Sequence, residues 1–256
     1  MRLQDKVAII TGAAHGIGRG IAMRFAREGA HVAICDLNAE GVKKVSQEIS
    51  ALGRKSLWSE VDVSDSSAVN EMVKRTSDFF PRIDILVNNA GGSYSLPTKL
   101  EEITDEIWDK VVNSNLKGTF LFSRAVAPHM KKQKSGRIIN LASIAGRNGG
   151  NMVGPQYSSA KAGVMGLTVH LARYLGPYGI TVNAIAPGIV LSGPRLEKLW
   201  MERKTEEERQ ESLTAIALRR VSTVEDQASV VVFLASDDAG YVTGVTLDVT
   251  GGWFNT

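Results

Sequence analysis

The chain has 256 residues, of which 43% are hydrophobic and 22% are charged, values typical of a globular protein with ample material for a core. The formal net charge of +3 is small and dispersed, which argues against a nucleic-acid-binding role. The single cysteine, Cys35, excludes an intrachain disulfide, and no apolar run is long enough to span a bilayer. We therefore expect a cytoplasmic protein without a membrane segment.

Apolar runs alternate with amphipathic segments from one end of the chain to the other. The runs predict strands at Val7–Ile10, His31–Cys35, Ser56–Val61, Ile83–Val87, Arg137–Leu141, Thr181–Ile185 and Val245–Val249. The segments predict helices from about Ile17, at Glu40–Leu52, from Ser64 or Asp65 to about Phe80, and at Thr104–Lys132, Pro155–Leu175, Arg195–Ser212 and Thr223–Ala235. This alternation predicts an α/β fold in one domain, 1–256. We expect a Rossmann fold: a doubly wound parallel sheet of about seven strands with helices on both faces.

A glycine-rich turn joins the first strand to the first helix. It contains Gly12, His15, Gly16, Ile17 and Gly18. Glycines at such a turn let the backbone approach a pyrophosphate, and the helix amino terminus supplies free N–H groups and a positive dipole. Taken alone, the motif is weak, and ordinary turn glycines are the alternative.

An acid, Asp36, ends the second strand. A carboxylate at this place is expected to accept hydrogen bonds from an adenosine ribose and to repel a 2′-phosphate. Leu37 is not basic, and His15 is mostly neutral near pH 7, so no cation is offered to that phosphate. The sequence therefore favours NAD over NADP as cofactor; the alternative role for Asp36 is helix capping or a turn.

Polar residues also follow the third and fourth strands. Asp62 and Val63 come after the third strand, and Asn88–Gly91 after the fourth. Ligands of open parallel sheets bind at the carboxyl ends of strands. Asp62 has the alternative of a turn residue, whereas we expect the two asparagines to bond loop backbone or a ligand.

Tyr157 and Lys161 lie four residues apart in a predicted helix, which places them on one face about one turn apart. An ammonium at about 4–5 Å would favour the phenolate by roughly 3–4 kcal/mol at an effective dielectric of about 20. That would lower the phenol pKa by about 2 to 3, towards the working pH of a general acid or base. On this pair alone, a surface tyrosine that happens to precede a lysine is the alternative.

In their order along the chain, these motifs resemble the short-chain dehydrogenase/reductase family in its compact form. The resemblance covers about Leu3 to Gly252 and depends on Thr11-Gly12-x-x-x-Gly16-Ile17-Gly18, Asp62-Val63, Asn88-Asn89-Ala90-Gly91, Asn115, Ser143, Tyr157-x-x-x-Lys161 and Pro187-Gly188.

The resemblance implies four catalytic residues. Tyr157 would be the general acid in ketone reduction and the general base in alcohol oxidation. Lys161 would lower the pKa of that phenol and bind the nicotinamide ribose. Ser143 would hydrogen-bond the substrate oxygen and stabilise charge there, and Asn115 would anchor a water relay to Lys161.

The resemblance also implies a cofactor site, formed by Gly12, His15, Gly16, Ile17, Gly18, Asp36, Leu37, Asp62, Val63, Asn89, Ala90, Gly91, Tyr157, Lys161, Pro187, Gly188, Val190 and Ser192. Three features depart from the family pattern. The gap from Ser143 to Tyr157 is one residue longer than the commonest spacing. Ser192 stands where threonine is usual, and Thr250 stands where an aspartate commonly precedes two glycines.

Loops are expected to set substrate choice. Expected lining residues are Gly92, Ser93, Tyr94, Ala145, Asn151, Met152, Gln156, Val190 and Trp200, and residues 192–212 fit a lid. No charged cluster awaits an anionic substrate, which favours a small neutral secondary alcohol, cyclic alcohol or polyol. By resemblance, we expect a homotetramer. No metal-ligand spacing is present among the four histidines.

Two alternatives stay open. The first is a 3-oxoacyl-thioester reductase, for which the basic run 131–137 would dock an acidic carrier, although such enzymes usually prefer NADPH. The second, of another class, is a catalytically silent nucleotide-binding regulator. The intact set Asn115, Ser143, Tyr157 and Lys161 argues against that second alternative.

Overall fold

The computed structural model describes residues 1–94, 96–150, 153–202 and 204–253. Its centre is one sheet of seven parallel strands in the order β3-β2-β1-β4-β5-β6-β7. The strands are β1 Val7–Thr11, β2 His31–Asp36, β3 Ser56–Glu60, β4 Ile85–Asn88, β5 Gly136–Leu141, β6 Ile180–Pro187 and β7 Thr246–Val249. The predicted seven-stranded doubly wound sheet is confirmed.

Helices connect successive strands. They are α1 Gly16–Arg27, α2 Ala39–Ala51, α3 Ser66–Phe79, α4 Asp105–Val112, α5 Gly118–Gln133, α6 Ala145–Asn148, α7 Pro155–Leu175, α8 Pro194–Glu202, α9 Glu206–Ala215 and α10 Val224–Ala235. None of the helices in the described ranges is long and apolar enough to cross a membrane.

Both faces of the sheet are covered, and β1 shows how. Ala8 and Ile10 point into one apolar core with α1, α2 and α10, whereas Val7 and Ile9 point into a second core with α3, α5 and α7. A strand that is buried on both faces needs apolar residues at every position. This is why the strands read as continuous apolar runs instead of alternating ones.

The predicted helix Thr104–Lys132 is not one regular α-helix. A π-helical segment, Asn113–Lys117, separates α4 from α5. A π-turn holds one more residue than an α-turn, so a search for a 3.6-residue period does not detect it. Asn115 on this segment is buried, whereas an asparagine on the polar face of a regular surface helix would be exposed.

The predicted helical segment Arg195–Ser212 is largely helical in the structure, but it is divided into two helices, α8 and α9. The reason is local: Thr205 caps α9, with its hydroxyl accepting from the N–H of Glu208 at 3.2 Å and the Glu208 carboxylate accepting from the N–H of Thr205 at 2.8 Å. Such a reciprocal capping box starts a new helix.

Candidate active site

The carboxyl ends of β1 and β4 meet at the point where the strand order reverses. There, the Thr11 hydroxyl oxygen accepts from the N–H groups of Asn89 at 3.0 Å and Ala90 at 2.9 Å. The Asn89 side-chain amide donates to the carbonyls of Thr11 at 3.0 Å and Gly12 at 2.9 Å. Asn89 therefore fixes the glycine-rich turn against the end of β4. For Asn89, the predicted bonding to loop backbone is confirmed.

Two glycines of the turn are needed for this packing. Gly12 has φ +66, and a Cβ there would lie 2.7 Å from the Ala90 Cα. A Cβ on Gly18 would lie 2.1 Å from the Gly12 carbonyl oxygen. Both contacts are shorter than any real Cβ contact, so no larger residue fits without a shift of backbone.

The amino terminus of α1 suits an anion. Its N-cap residue, His15, makes no side-chain hydrogen bond to the helix, and its first turn, which lies wholly in the described chain, has no acidic residue. The first N–H groups of a helix have no partner inside it, and they carry the positive end of the dipole. The donor chemistry and the cradle of glycines fit a dinucleotide pyrophosphate.

Asp36 ends β2 beside this turn. One carboxylate oxygen accepts from the Ala14 N–H at 3.0 Å, and the other accepts from the Asn38 N–H at 3.0 Å. The ring Nδ1 of His15 is 4.0 Å from the first of these oxygens, and Leu37 is exposed. Asp36 is thus a turn residue, and since a carboxylate has about four acceptor sites, it keeps capacity for a ribose hydroxyl.

The ends of β3 and β4 differ from the expectation in detail. Asp62 is exposed, and one of its oxygens accepts from the Ser64 N–H at 2.8 Å and the Ser64 hydroxyl at 2.7 Å, as a turn residue would. The Asn88 side-chain amide does not bond loop backbone in the described chain: it donates to the Ser123 hydroxyl at 3.1 Å and to the Asn140 side-chain carbonyl oxygen at 2.9 Å. It is a buried link between β4, β5 and α5.

The structure brings Tyr157, Lys161 and Ser143 together. Ser143 follows β5, and its hydroxyl is near enough to the Tyr157 phenol to lower the pKa of that phenol. The Lys161 ammonium lies 5.6 Å from the Tyr157 ring centroid. The short helix α6 fits against α7 because residue 146 is glycine: a Cβ on Gly146 would lie 2.7 Å from the Ala162 nitrogen. The sequence patterns did not predict α6.

The pKa of the Tyr157 phenol shifts in the direction opposite to the one predicted. Burial raises the pKa of the Tyr157 phenol, although its hydrogen bond with Ser143 acts the other way. Burial lowers the pKa of Lys161 to about 8. The predicted lowering of the phenol pKa is therefore wrong for this arrangement, because loss of water disfavours the charged forms of both side chains.

Asn115 is fully buried on the π-helical segment. Its amide nitrogen donates to the carbonyls of Gly92 at 3.1 Å and Val111 at 2.9 Å. Its side-chain oxygen is buried and has no hydrogen-bond partner among the described residues. Gly91 has φ +131, and a Cβ there would lie 2.4 Å from that oxygen. The glycine is therefore required for Asn115 to sit beside the loop that follows β4.

The segment after β6 reaches the glycine-rich turn. The Gly188 N–H donates to the Val249 carbonyl at 3.2 Å, and Val190 forms a bridge with Ser222. The Ser192 hydroxyl oxygen lies 3.3 Å from the position of a Cβ on Gly16. Ser192 and the start of α1 thus face the same cleft, although they are 176 residues apart in the sequence.

The predicted substrate residues are only partly gathered. Ala145 is buried in α6, and Gln156 is buried with its amide donating to the Pro97 carbonyl at 3.2 Å. Trp200 is partly buried in α8, with the Lys204 ammonium 5.1 Å from its ring centroid. The Ser93 carbonyl accepts from the Leu96 N–H at 3.2 Å. Asn151 and Met152 lie outside the described residues.

One functional contact escaped the sequence analysis. The Lys161 ammonium donates to the main-chain carbonyl of Leu141 at 2.6 Å. Since every residue has a backbone carbonyl, nothing in the sequence marks Leu141 for this role.

Comparison with known proteins agrees with this geometry. Residues 12–254 match the family model described as enoyl-(acyl carrier protein) reductase. The chain is 44% identical to (2S)-[(R)-hydroxy(phenyl)methyl]succinyl-CoA dehydrogenase subunit BbsD of Thauera aromatica, over 98% of each chain. It is 40% identical to the 3-oxoacyl-[acyl-carrier-protein] reductase FabG of Thermotoga maritima, over 98% of this chain and 99% of that protein.

Solved structures show the same fold. Levodione reductase superimposes with a TM-score of 0.90 at 37% identity, over 98% of each chain. A 3-oxoacyl-[acyl-carrier protein] reductase of Brucella melitensis with bound NAD superimposes with a TM-score of 0.88 at 35% identity, over 99% of this chain and 95% of that one. With its motifs, sheet order and relatives in agreement, the chain belongs to the short-chain dehydrogenase/reductase family of oxidoreductases, which bind a nicotinamide cofactor.

Proposed function

We propose that this protein interconverts a secondary alcohol and a ketone with NAD(H), and that Tyr157 is its general acid and base. The observation that carries the proposal is the grouping of three side chains: the Ser143 hydroxyl acts on the buried Tyr157 phenol and opposes the rise of its pKa, and the Lys161 ammonium lies 5.6 Å from the centroid of the same ring. A phenol held by a hydroxyl and a cation is a proton-transfer group for the oxygen of an alcohol or ketone.

Each residue has a role in this scheme. Tyr157 takes the alcohol proton during oxidation and returns it during reduction. Ser143 donates to the substrate oxygen and stabilises the charge that develops there. Lys161, held on the Leu141 carbonyl at 2.6 Å, is expected to bind the ribose next to the nicotinamide. A bound nicotinamide cofactor supplies or accepts the hydride.

We assign Asn115 to the water relay that supplies protons to Lys161. Its amide nitrogen is used by the Gly92 and Val111 carbonyls. Its buried oxygen finds no partner in the described chain, and such an acceptor is a place for an ordered water. The proposed relay connects that water to Lys161.

NAD is proposed over NADP. The Asp36 carboxylate is fixed at the end of β2 by two backbone N–H groups at 3.0 Å, and it stays beside the start of α1. A fixed negative charge repels a 2′-phosphate and accepts from a free 2′-hydroxyl. The solved relative from Brucella melitensis, which has NAD bound, supports the same choice.

The proposed substrate is a small neutral cyclic or secondary alcohol, or a polyol, and the likeness to levodione reductase supports it. A second candidate is a 3-oxoacyl or 3-hydroxyacyl thioester. The names of the relatives from Thauera aromatica and Thermotoga maritima favour that candidate, because both denote enzymes of thioester substrates. In that case the basic run 131–137 is the place for an acidic carrier.

The test is turnover of purified protein with NAD(H) and NADP(H) on cyclic alcohols, polyols and acetoacetyl thioesters. Turnover of the first two classes with NAD supports the favoured substrate. Preferential turnover of the thioesters supports the second candidate. If the protein binds NADH but turns over nothing, the silent regulator replaces the enzyme.

Other features stay predictions that belong to this proposal. They are the single domain with a lid at residues 192–212, the homotetramer and the cytoplasmic location. The remaining cofactor contacts at His15, Ile17, Val63 and Val190 are proposed with them.

A further inference from the structure

Arg147 on the short helix α6 holds that helix against the last strand of the sheet. Its Nε donates to a carboxylate oxygen of Asp248 at 3.0 Å, and its Nη2 donates to the main-chain carbonyl of Thr246 at 3.2 Å. Both acceptors belong to β7, which lies at one edge of the sheet. Although residue 147 is at the surface, its side chain is 24% exposed and that of Asp248 is 12% exposed, so water shields the pair little. A guanidinium that serves two acceptors at once fixes direction as well as distance.

The same helix orients the hydroxyl of Ser143. The Ala145 N–H, at the start of α6, donates to the Ser143 hydroxyl oxygen at 3.2 Å. A hydroxyl has one proton to donate and two sites that accept. The bond from Ala145 occupies an accepting site, so the Ser143 proton stays available for a substrate oxygen. The direction in which Ser143 can donate is therefore set by where α6 lies.

Main-chain contacts hold α6 on two other elements. The Ile144 N–H donates to the Pro187 carbonyl at 3.1 Å, which ties the start of α6 to the end of β6. The Ser158 hydroxyl on α7 donates to the Gly149 carbonyl at 2.7 Å, just after α6 ends. Arg147 adds an ionic contact to a third element, β7. The helix that orients the serine is thus fixed from three directions, and one of them depends on a side chain that mutation can remove.

We propose that Arg147 is a positioning residue for the reaction: by fixing α6 on β7, it keeps the Ser143 hydroxyl aimed at the substrate oxygen. The inference rests on the proposed function, since it requires that Ser143 stabilise charge on that oxygen. A misplaced donor stabilises the developing charge less, so the loss falls on kcat and not on cofactor binding. An ion pair with a purely structural role would change the free energy of unfolding and leave kcat unchanged.

The first experiment measures kcat with the cyclic alcohol, polyol or acetoacetyl thioester that the wild type turns over, and the Kd for NADH by titration. Arg147→Met is expected to lower kcat by about tenfold and to leave the Kd within about twofold of the wild-type value. Arg147→Lys keeps the cation but not the two-donor fork, so a loss of about threefold is expected. A fully folded Arg147→Met protein with wild-type kcat overturns the inference.

Arg54→Met is the matched control. Arg54 also donates to a carboxylate, that of Asp5 at 2.6 Å, and to a main-chain carbonyl, that of Ala30 at 3.4 Å. These three residues precede β3, β1 and β2, so they lie at the edge of the sheet opposite the site. Wild-type kcat is expected, although stability can fall as it does in Arg147→Met.

A double-mutant cycle shows whether Arg147 acts through Ser143. Ser143→Ala alone is expected to lower kcat by about 100-fold. In that background, Arg147→Met is expected to cost less than about a further twofold, because residues that act as a unit do not contribute additively. A full further tenfold loss would mean that Arg147 acts on something other than the serine, and it would overturn the inference.

A second variant keeps the inference testable if Arg147→Met does not fold. Asp248→Asn removes the negative charge but leaves an oxygen that can accept from Arg147. It is expected to lower kcat by about twofold to threefold, and to have no further effect in the Ser143→Ala background. Wild-type kcat in Asp248→Asn contradicts the proposal.

The outcome is separable from the proposed function. If the wild type turns over nothing, or if Ser143→Ala is as active as the wild type, the proposed function fails. If Ser143→Ala is impaired whereas the Arg147 and Asp248 variants keep wild-type kcat, this inference alone fails.

Discussion

The Lys161 ammonium donates to the main-chain carbonyl of Leu141 at 2.6 Å, and this bond joins the catalytic helix α7 to the end of β5. Ser143 lies two residues beyond that carbonyl. A single buried cation thus fixes the spacing between β5, which precedes the serine, and the helix that carries Tyr157. Burial also makes this cation destabilising, because loss of water disfavours the charged form of Lys161. The same loss of water lowers the pKa of Lys161 to about 8.

This cost predicts that Lys161→Met is more stable than the wild type near pH 7. The folded pKa, about 8, is below the ordinary value of 10.5, so the unfolded chain binds more protons between these values and wild-type stability rises with pH across that window. At pH values below this window, burying the charged Lys161 costs the folded state roughly 3 kcal/mol. Removing the lysine relieves this cost, but loss of its hydrogen bond to the Leu141 carbonyl takes back about 1–2 kcal/mol. We expect a net gain of about 1–2 kcal/mol in the free energy of unfolding.

Urea unfolding at about pH 7 and about pH 10 checks this gain, which should shrink at the higher pH. Lys74→Met is a surface control, because Lys74 pairs with Asp78 on an exposed face of α3. A gain that is the same at both pH values would contradict the burial argument. Turnover of Lys161→Met is expected to be lost regardless of its stability.

Tyr157→Phe is expected to lower kcat by at least about 1,000-fold, since the proton-transfer group is removed. Binding of NADH should survive, because the ring and Lys161 stay in place. Steady-state kinetics and an NADH titration measure the two effects. Tyr178→Phe, at an exposed tyrosine, is the control, and near-wild-type rates in Tyr157→Phe would refute the acid–base role.

Alcohol oxidation should speed up with pH. Burial raises the pKa of Tyr157, so near pH 7 the phenol is protonated in the free enzyme, and only the growing phenolate fraction can accept the alcohol proton. The logarithm of kcat/KM for oxidation should rise by about one for each pH unit, whereas kcat/KM for reduction should not rise. Initial rates in both directions between about pH 6 and 9 test this. A flat oxidation profile would argue for a different base.

Asp36→Ala is expected to narrow the preference for NAD over NADP by about 10- to 100-fold, because the fixed charge that repels the 2′-phosphate is gone. The measurement is the ratio of kcat/KM for the two cofactors. Asp62→Ala is the comparison, since Asp62 is exposed and its carboxylate accepts hydrogen bonds from the Ser64 backbone N–H and hydroxyl. An unchanged ratio in Asp36→Ala would remove Asp36 from cofactor selection.

Gly91→Ala is expected to reduce kcat/KM by about 100-fold, because a Cβ there would lie 2.4 Å from the Asn115 oxygen and would displace it. Gly53→Ala is a matched control. Gly53 also has a positive φ, +77, but a Cβ there meets nothing within 4 Å, so only about 1 kcal/mol of backbone strain is expected. Circular dichroism and steady-state kinetics separate folding from activity. Equal activity in the two variants would exclude the proposed contact.

Much of the site was predictable because its residues stand at fixed places in an alternating chain. The turn at Gly12–Gly18, Asp36 at the end of β2, and the Tyr157–Lys161 spacing all follow from where strands end and helices begin. The π-helical segment at Asn115 was not predictable, since one extra residue in a turn leaves no clear period. The break between α8 and α9 was missed because charged residues are dense on both sides of it.

By itself, the sequence determined the parallel sheet, the site at its carboxyl edge, and the residue types available for proton transfer and cofactor binding. Apolar periodicity and strand-end chemistry are local properties, so they can be read along the chain. Only the tertiary structure decided that the Asn88 amide links β4 to β5, that Lys161 bonds the Leu141 carbonyl, and that burial raises the pKa of Tyr157. These depend on distances and desolvation between segments far apart in the chain, which no local pattern encodes.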